Sequence, residues 1–370
     1  MSAFKAVVVF AFLSLILAET VSAATYVYVS NAEDGDIGLY TLNADGSLRR
    51  GERFKAEKPV MPMSVSPDKR YLVAAVRSKP FSAQTYAIDR ANGALKQVGS
   101  GPLAESFPYI THDRTGRYLL SASYGAHLVS VNPVNADGTV GAPLQVIPTA
   151  RNAHAIITDG TNRFVFVPHL GTDQVFQFLF DEKSGRLTAN TPPVLQLRAG
   201  TGPRHLVTSP DNRFVYLLNE LTATVSTLAL ENGTLKETGS ASALPPDSKL
   251  GPGMPRPQPG RDVSNDIWAS DIHVTPDGRF LYAAERTSSS IGAFSVDMTS
   301  GKLAYLGSTP TEKQPRGFRI DPTGRFMVVS GEKSDTISSY AIGPGGALRL
   351  IGKAPTGKGS NWVEIVAFDR

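Results

Sequence analysis

Short apolar runs separated by polar turn residues follow one another along nearly the whole chain. Runs of about 4 to 8 residues rich in Val, Ile, Phe, Tyr and Thr, bounded by Gly, Pro, Asn and Asp, predict strands rather than helices. In one stretch RHLVTS, RFVYLL, TVSTLAL and LKETGSA read as four successive strands, with turns at Pro210-Asp211-Asn212 and Asn232-Gly233. The block then repeats: SPDKRYLVAA, DRTGRYLLSA, DGTNRFVFVP, SPDNRFVYLL, TPDGRFLYAA and DPTGRFMVVS align on Arg70, Arg117, Arg163, Arg213, Arg279 and Arg325. The intervals are 47, 46, 50, 66 and 46 residues. Four strands in about 40 to 50 residues is the period of a propeller blade.

The two ends supply the missing unit. TYVYVSN, residues 25–31, matches the second strand of a block, while NWVEIVAF, residues 361–368, matches an innermost strand with no block after it. Joining them predicts an all-β fold, a seven-bladed β-propeller of four-stranded blades whose C-terminal strand completes the N-terminal blade, so that the ring has no open edge. The 66-residue interval contains an insertion, residues 244–266, rich in Pro, Gly and polar residues, which reads as a long loop. It is either a lid over one mouth of the central channel or a tolerated surface excursion.

The chain length of 370 residues alone would suggest two domains, but the repeat assigns residues 24–370 to one propeller. Residues 1–23 have the form of a cleaved signal peptide: Lys5, an apolar stretch over 6–18, and the small residues Val21-Ser22-Ala23 before Ala24. The apolar stretch is short for a membrane span. The expected product is a periplasmic or secreted protein with no membrane anchor, most simply a monomer. With no cysteine, disulfides, thiol catalysis and a lipid-anchored cysteine are excluded. The formal charge of +4 comes from scattered Lys and Arg, not from a cluster of the kind that marks a nucleic-acid surface.

The repeat register also locates candidate chemistry. Nine residues before the anchor arginines stand Met61, Pro108, His154, Arg204, Ser270 and Arg316, at the starts of innermost strands. Sixteen residues further on stand Arg77, Tyr124, Leu170, Glu220, Arg286 and Glu332, at the ends of the next strands. Antiparallel neighbours finish at the same mouth, so the two sets converge there. His169, His205, Asp271, His273 and Glu364 lie close by in register, whereas His112 and His127 have no carboxylate or arginine companion in register and read as ordinary surface or packing residues. There is no Gly-x-Ser-x-Gly elbow, no His pair or Cys pair with zinc spacing, and no calcium loop. Gly352 to Gly359 resembles a phosphate-binding loop, but it lacks the Ser/Thr, contains Pro355 and precedes no helix pattern. Neither a metal nor a cofactor is expected.

The segments GPRHLVTSPDNRFVYLLNEL, SDIHVTPDGRFLYAAER, QPRGFRIDPTGRFMVVSGE and NRFVFVPHLGTDQV resemble the seven-bladed propeller lactonase family, which includes 6-phosphogluconolactonases and carboxymuconate-lactonising enzymes. The resemblance implies a catalytic set of His154, Arg204, Glu220 and Arg286, with His205, Asp271, Arg316, His169 and Glu332 as substrate-binding candidates. His169 stands where relatives often carry Asp, and Glu332 where Asn-Gln is common. The implied reaction is hydrolysis of a sugar-type lactone, phosphorylated or not. Such a reaction needs a base for water, His154 or Glu220, and cationic forks for the carbonyl oxygen or an anionic substituent, Arg204 and Arg286. The alternatives are a muconate-type cycloisomerase and a propeller that binds without chemistry.

Overall fold

The computed structural model describes residues 24–255 and 260–368. The signal-peptide segment, residues 1–23, lies outside the described residues. Among those described, the regular structure consists of 28 strands, arranged as seven antiparallel sheets of four. The innermost strands are β4 (Val60–Val65), β8 (Tyr109–His112), β12 (Ile157–Thr158), β16 (Pro203–Thr208), β20 (Ala269–Val274), β24 (Pro315–Ile320) and β28 (Ser360–Phe368). Closure follows the expected route. Strand β1 (Ala24–Asn31) pairs with β28, with Ala24 opposite Phe368, Val27 opposite Ile365 and Ser30 opposite Trp362.

The hydrophobic core sits between blades. Tyr216, Leu218 and Val225 of the fifth blade pack with Ile272, Leu281, Ala283 and Phe294 of the sixth, all of them buried. Second strands are buried on both faces, which is why RFVYLL reads as a continuous apolar run rather than an alternating one. The outermost strand β3 (Leu48–Lys55) is instead mostly exposed and carries Arg49, Arg50 and Arg53, charges that discourage edge-to-edge pairing.

The aromatic residue after each anchor arginine explains a second recurring letter. The glycine of the last hairpin in one blade lies flat against that ring in the preceding blade. A Cβ on Gly233 would come within 2.0 Å of Phe164, one on Gly185 within 2.3 Å of Tyr118, and one on Gly46 within 2.4 Å of Phe326. Positive φ at these glycines makes the same positions necessary for the turn. Because Gly46 belongs to the first blade and Phe326 to the seventh, this contact also crosses the closure.

The described residues of the insertion fold back onto one mouth. Gly253 N donates to Leu221 O at 2.9 Å, Ile267 N to Gly251 O at 2.8 Å and Thr287 Oγ1 to Asp266 O at 2.6 Å. Arg261 holds Asp266 through both guanidinium arms, at 2.6 and 2.8 Å. Gly253, Met254, Val263 and Asp266 thereby become a wall of the channel mouth.

Candidate active site

Each innermost strand starts at the same, upper mouth and ends at the lower one, and a cavity of about 350 Å³ occupies the upper mouth. Its lining includes Arg77, Pro108, Tyr124, His154, Arg204, Glu220, Arg286 and Arg316, all of them positions picked out by the repeat register. The strands are distorted where they carry these side chains. Pro203 faces Asn219 and His205 faces Leu218, leaving Arg204 as an extra residue; Pro315 and Gly317 likewise leave out Arg316. Such bulges turn a side chain away from its ladder position, here into the channel mouth. In the fourth blade the inner strand is reduced to two residues, and His154 precedes it, held by a 3.0 Å hydrogen bond from its N–H to Pro168 O.

Glu220 is the hub of the cluster. Its Oε2 accepts from Arg204 Nε at 2.6 Å and from Arg286 Nη2 at 3.1 Å. Arg204 Nη1 also donates to the Ser270 carbonyl, and Arg286 Nε to the Trp268 carbonyl at 3.1 Å. The Arg286 guanidinium lies 3.6 Å from the centre of the Trp268 ring. Arg316 Nε stands 3.3 Å from Glu332 Oε1, and its Nη1 donates to Met61 Sδ at 3.0 Å. A thioether is a weak acceptor, so that donor is poorly satisfied. Arg77 Nε donates to Ser106 Oγ at 2.9 Å, and among the described residues no carboxylate lies within ion-pair distance of it.

Electrostatics in this cavity are set by burial. Burial and the neighbouring Arg286 pull the Arg204 guanidinium down to about 9, and burial together with Arg316 lowers Arg77 to about 10. Both remain cationic at neutral pH. Burial first, then Arg204, His205, Arg316 and Arg286, hold the His154 imidazole well below its usual range, so it is neutral. Its Nδ1 is buried without a hydrogen-bond partner. Four arginines thus line the cavity against Glu220 and Asp266, and Asp266 is already taken by Arg261.

The structure brings His154, Arg204, Glu220, Arg286 and Arg316 together, with Glu332 acting on Arg316. It separates the other candidates. His205 and Asp271 line the lower cavity, each at or directly after a bulge, at Arg204 in the fifth blade and at Ser270–Asp271 in the sixth. His205 Nδ1 lies 2.9 Å from Asp271 Oδ1, and His273 Nε2 lies 3.2 Å from Asp271 Oδ2. Above them the His205 ring packs edge-on against His154, Tyr109 and Trp362, a layer that divides the channel. His169 is outside the cavity altogether: it is fully buried in the fourth blade, with its ring centre 4.3 Å from that of Phe176. A strand-end position beside a proline placed it at the rim in sequence, but its side chain turns into the blade. His112 is likewise a packing residue, with Nδ1 2.9 Å from Ser64 Oγ at the lower end.

Sequence reasoning left out the wall formed by Met254, Val263, Ile267 and Trp268. A tryptophan at the end of a polar insertion, directly before an inner strand, was the available signal. Arg77 and Tyr124 were in the register but not among the candidates.

The fold is therefore a closed seven-bladed ring with a charged cavity at one mouth. The chain belongs to the lactonase family of seven-bladed β-propellers, matching the family description "Lactonase, 7-bladed beta-propeller" over residues 20–365. Membership makes it an enzyme of the lactonase class. It is 37% identical to a 6-phosphogluconolactonase of Erwinia tasmaniensis over 93% of this chain and 99% of the relative. A 6-phosphogluconolactonase of Serratia proteamaculans is 38% identical over 92% and 98%. Among solved structures, the periplasmic gluconolactonase of Pseudomonas aeruginosa superposes with a TM-score of 0.83 at 26% identity, covering 94% of this chain and 99% of that one.

Proposed function

We propose that the protein hydrolyses a sugar-type lactone in the upper cavity, with His154 as the base for water and Arg204 and Arg286 as the cationic donors for the carbonyl oxygen. The observation that carries this reading is the Arg204–Glu220–Arg286 cluster beside a neutral, buried His154. Water attacks the carbonyl carbon as its proton passes to His154, and the carbonyl oxygen becomes an oxyanion facing the two guanidiniums. Collapse of that intermediate breaks the ring C–O bond. The proton on His154 goes to the departing ring oxygen, and a hydroxy acid leaves. Glu220 keeps both arginines in place, and each such donor is worth on the order of 10²–10³ in rate.

Arg77 and Arg316, which line the same cavity, suit an anionic substituent or the carboxylate of the product. The names of the relatives support both a phosphorylated and an unphosphorylated sugar lactone as substrate. Export is part of the same proposal: the N-terminal segment has the pattern of a signal peptide, and the structural relative from Pseudomonas aeruginosa is periplasmic.

The test is acid release, followed by titration at constant pH, from glucono-δ-lactone and from 6-phosphogluconolactone. Acceleration over the spontaneous rate, lost in His154→Gln and in Arg204→Lys, is the expected result. No acceleration of any sugar lactone leaves a propeller that binds without chemistry.

A further inference from the structure

We propose that the upper cavity has a second subsite, a groove between the second and third blades that takes a further sugar unit attached to the lactone, so that two-sugar aldonolactones are better substrates than one-sugar ones. The inference rests on the lactonase reading above and widens its substrate class. A space of about 440 Å³ lies beside the upper cavity, and Arg77 and Tyr124 line both. The rest of its wall includes Glu105 and Ser106, on the approach to β8, and Gly125 and Ala126, in the turn between β9 (Tyr118–Ser123) and β10 (Leu128–Pro133). Tyr124 sets the junction: its ring meets that of His154, the base for water, edge-on at 5.5 Å between centres. A substituent on a lactone held at His154 therefore has the groove beside it.

The groove keeps its shape through bonds made within its own wall. Ser123 Oγ donates to Ser106 O at 3.0 Å and accepts from Ala126 N at 3.2 Å, and His127 N donates to Ser123 O at 3.0 Å. Asn152 Nδ2, from the fourth blade, fixes the same turn through Tyr124 O at 3.0 Å. What remains for a ligand is one group of each kind. Arg77 spends Nε on Ser106 Oγ at 2.9 Å, and its Nη1 and Nη2 make no hydrogen bond among the described residues. The Glu105 carboxylate takes only a long contact from Ser106 N, at 3.4 Å, and no cation among the described residues lies within ion-pair distance of it. Cationic donor and anionic acceptor thus face one groove without neutralising each other. Sugar hydroxyls donate and accept, so they satisfy both, whereas a phosphate only accepts and would lie against Glu105. No large aliphatic side chain lines the groove, which disfavours an acyl tail.

The experiment pairs glucono-δ-lactone with lactobiono-δ-lactone, which carries a galactosyl unit, and uses their acids, gluconate and lactobionate, for equilibrium binding. In acid-release kinetics the two-sugar lactone is expected to show a kcat/KM about tenfold higher, mostly through KM. By titration calorimetry lactobionate should bind about tenfold more tightly than gluconate, the size of one or two net hydrogen bonds. Ala126→Trp fills the groove from its turn and is expected to bring both ratios to about one. Glu105→Gln, which keeps the shape but weakens the acceptor, should lower them about threefold. Turnover of glucono-δ-lactone with no preference for the two-sugar lactone, and no tighter binding of lactobionate, overturns the subsite and leaves the lactonase reading intact. A preference that survives both substitutions overturns it as well. Tighter binding of lactobionate without turnover of either lactone sinks the lactonase reading and leaves the subsite standing. Neither turnover nor a binding preference rejects both.

Discussion

The two ends of the central channel hold cavities of nearly equal size, about 350 and 330 Å³, and both are lined by histidine and arginine. Their charges are used differently. In the lower cavity Arg319 Nη2 reaches both oxygens of Glu364 at 2.6 and 2.5 Å, Arg114 Nε donates to the backbone carbonyl of Asp159 at 2.6 Å, and His112 Nε2 and His205 Nε2 are buried without a hydrogen-bond partner. Asp271 receives His205, His273, Ile272 N and Phe318 N. Burial would raise the Asp271 carboxyl, but His273 and the bond from His205 hold it well below the carboxylate range. In the upper cavity arginines outnumber the available carboxylates, and one donor is spent on a thioether. Carboxylates met by cations and amides tie blades together; cations in excess of carboxylates suit an anionic ligand.

The sharpest way to break this contrast is at the two hubs. Glu220→Gln keeps the shape but weakens the hold on Arg204 and Arg286, and is expected to lower kcat/KM by roughly 10²- to 10³-fold; leaving two buried guanidiniums without their carboxylate also costs about 3 kcal/mol of stability. Asp271→Asn should carry a comparable stability cost, about 3 kcal/mol in urea unfolding, but with kcat/KM little altered. If Asp271→Asn removed activity as fully as Glu220→Gln does, the lower network would belong to the chemistry and the contrast would fail. Arg77→Gln sharpens it further. It is expected to weaken a phosphorylated or carboxylated lactone by about tenfold in KM and to spare the neutral one.

A further effect is on the pH dependence of stability. Burial lowers His112 and His169 to about 4 and, helped by Arg204, His205 to about 3. An unfolded histidine titrates near 6.5, so above that pH neither state gains a proton and stability is complete. As pH falls below about 6.5 the unfolded chain takes up protons first, and each such histidine costs about 1.4 kcal/mol per pH unit until its native value is reached. Denaturation curves between pH 7 and 4 should show this loss. His169→Leu should flatten it and gain roughly 1 kcal/mol at neutral pH, because neither ring nitrogen of His169 has a hydrogen-bond partner. An unchanged slope would mean that His169 does not face the interior in solution.

How much of this was legible in the sequence depended on periodicity. Blade number, ring closure and the convergence of Arg77, His154, Arg204, Glu220, Arg286 and Arg316 on one mouth all follow from counting residues from the anchor arginines. What counting could not give is which way a side chain turns within one residue of a bulge. Arg204 and His205 are neighbours in sequence, yet one faces the upper cavity and the other the lower, because the extra residue at the strand start breaks the alternation. His169 was misplaced for a related reason, since its register matched the rim but its ring had a hydrophobic slot beside Phe176. The insertion has no counterpart in the other blades, so no register existed from which to read Met254 or Val263; Trp268, eleven residues before Arg279, stands in register with Ser106, Asn152, Gly202 and Gln314.

The strand pairing of β1 with β28 has a temporal meaning. Ser30 bonds to Asn361 across 331 positions of chain, so the first strand to leave the ribosome waits, unpaired on that side, for almost the last. Contacts of such separation are slow to form. Until they do, the bracelet is unfastened, and a chain in that state is the form a chaperone or a protease would meet.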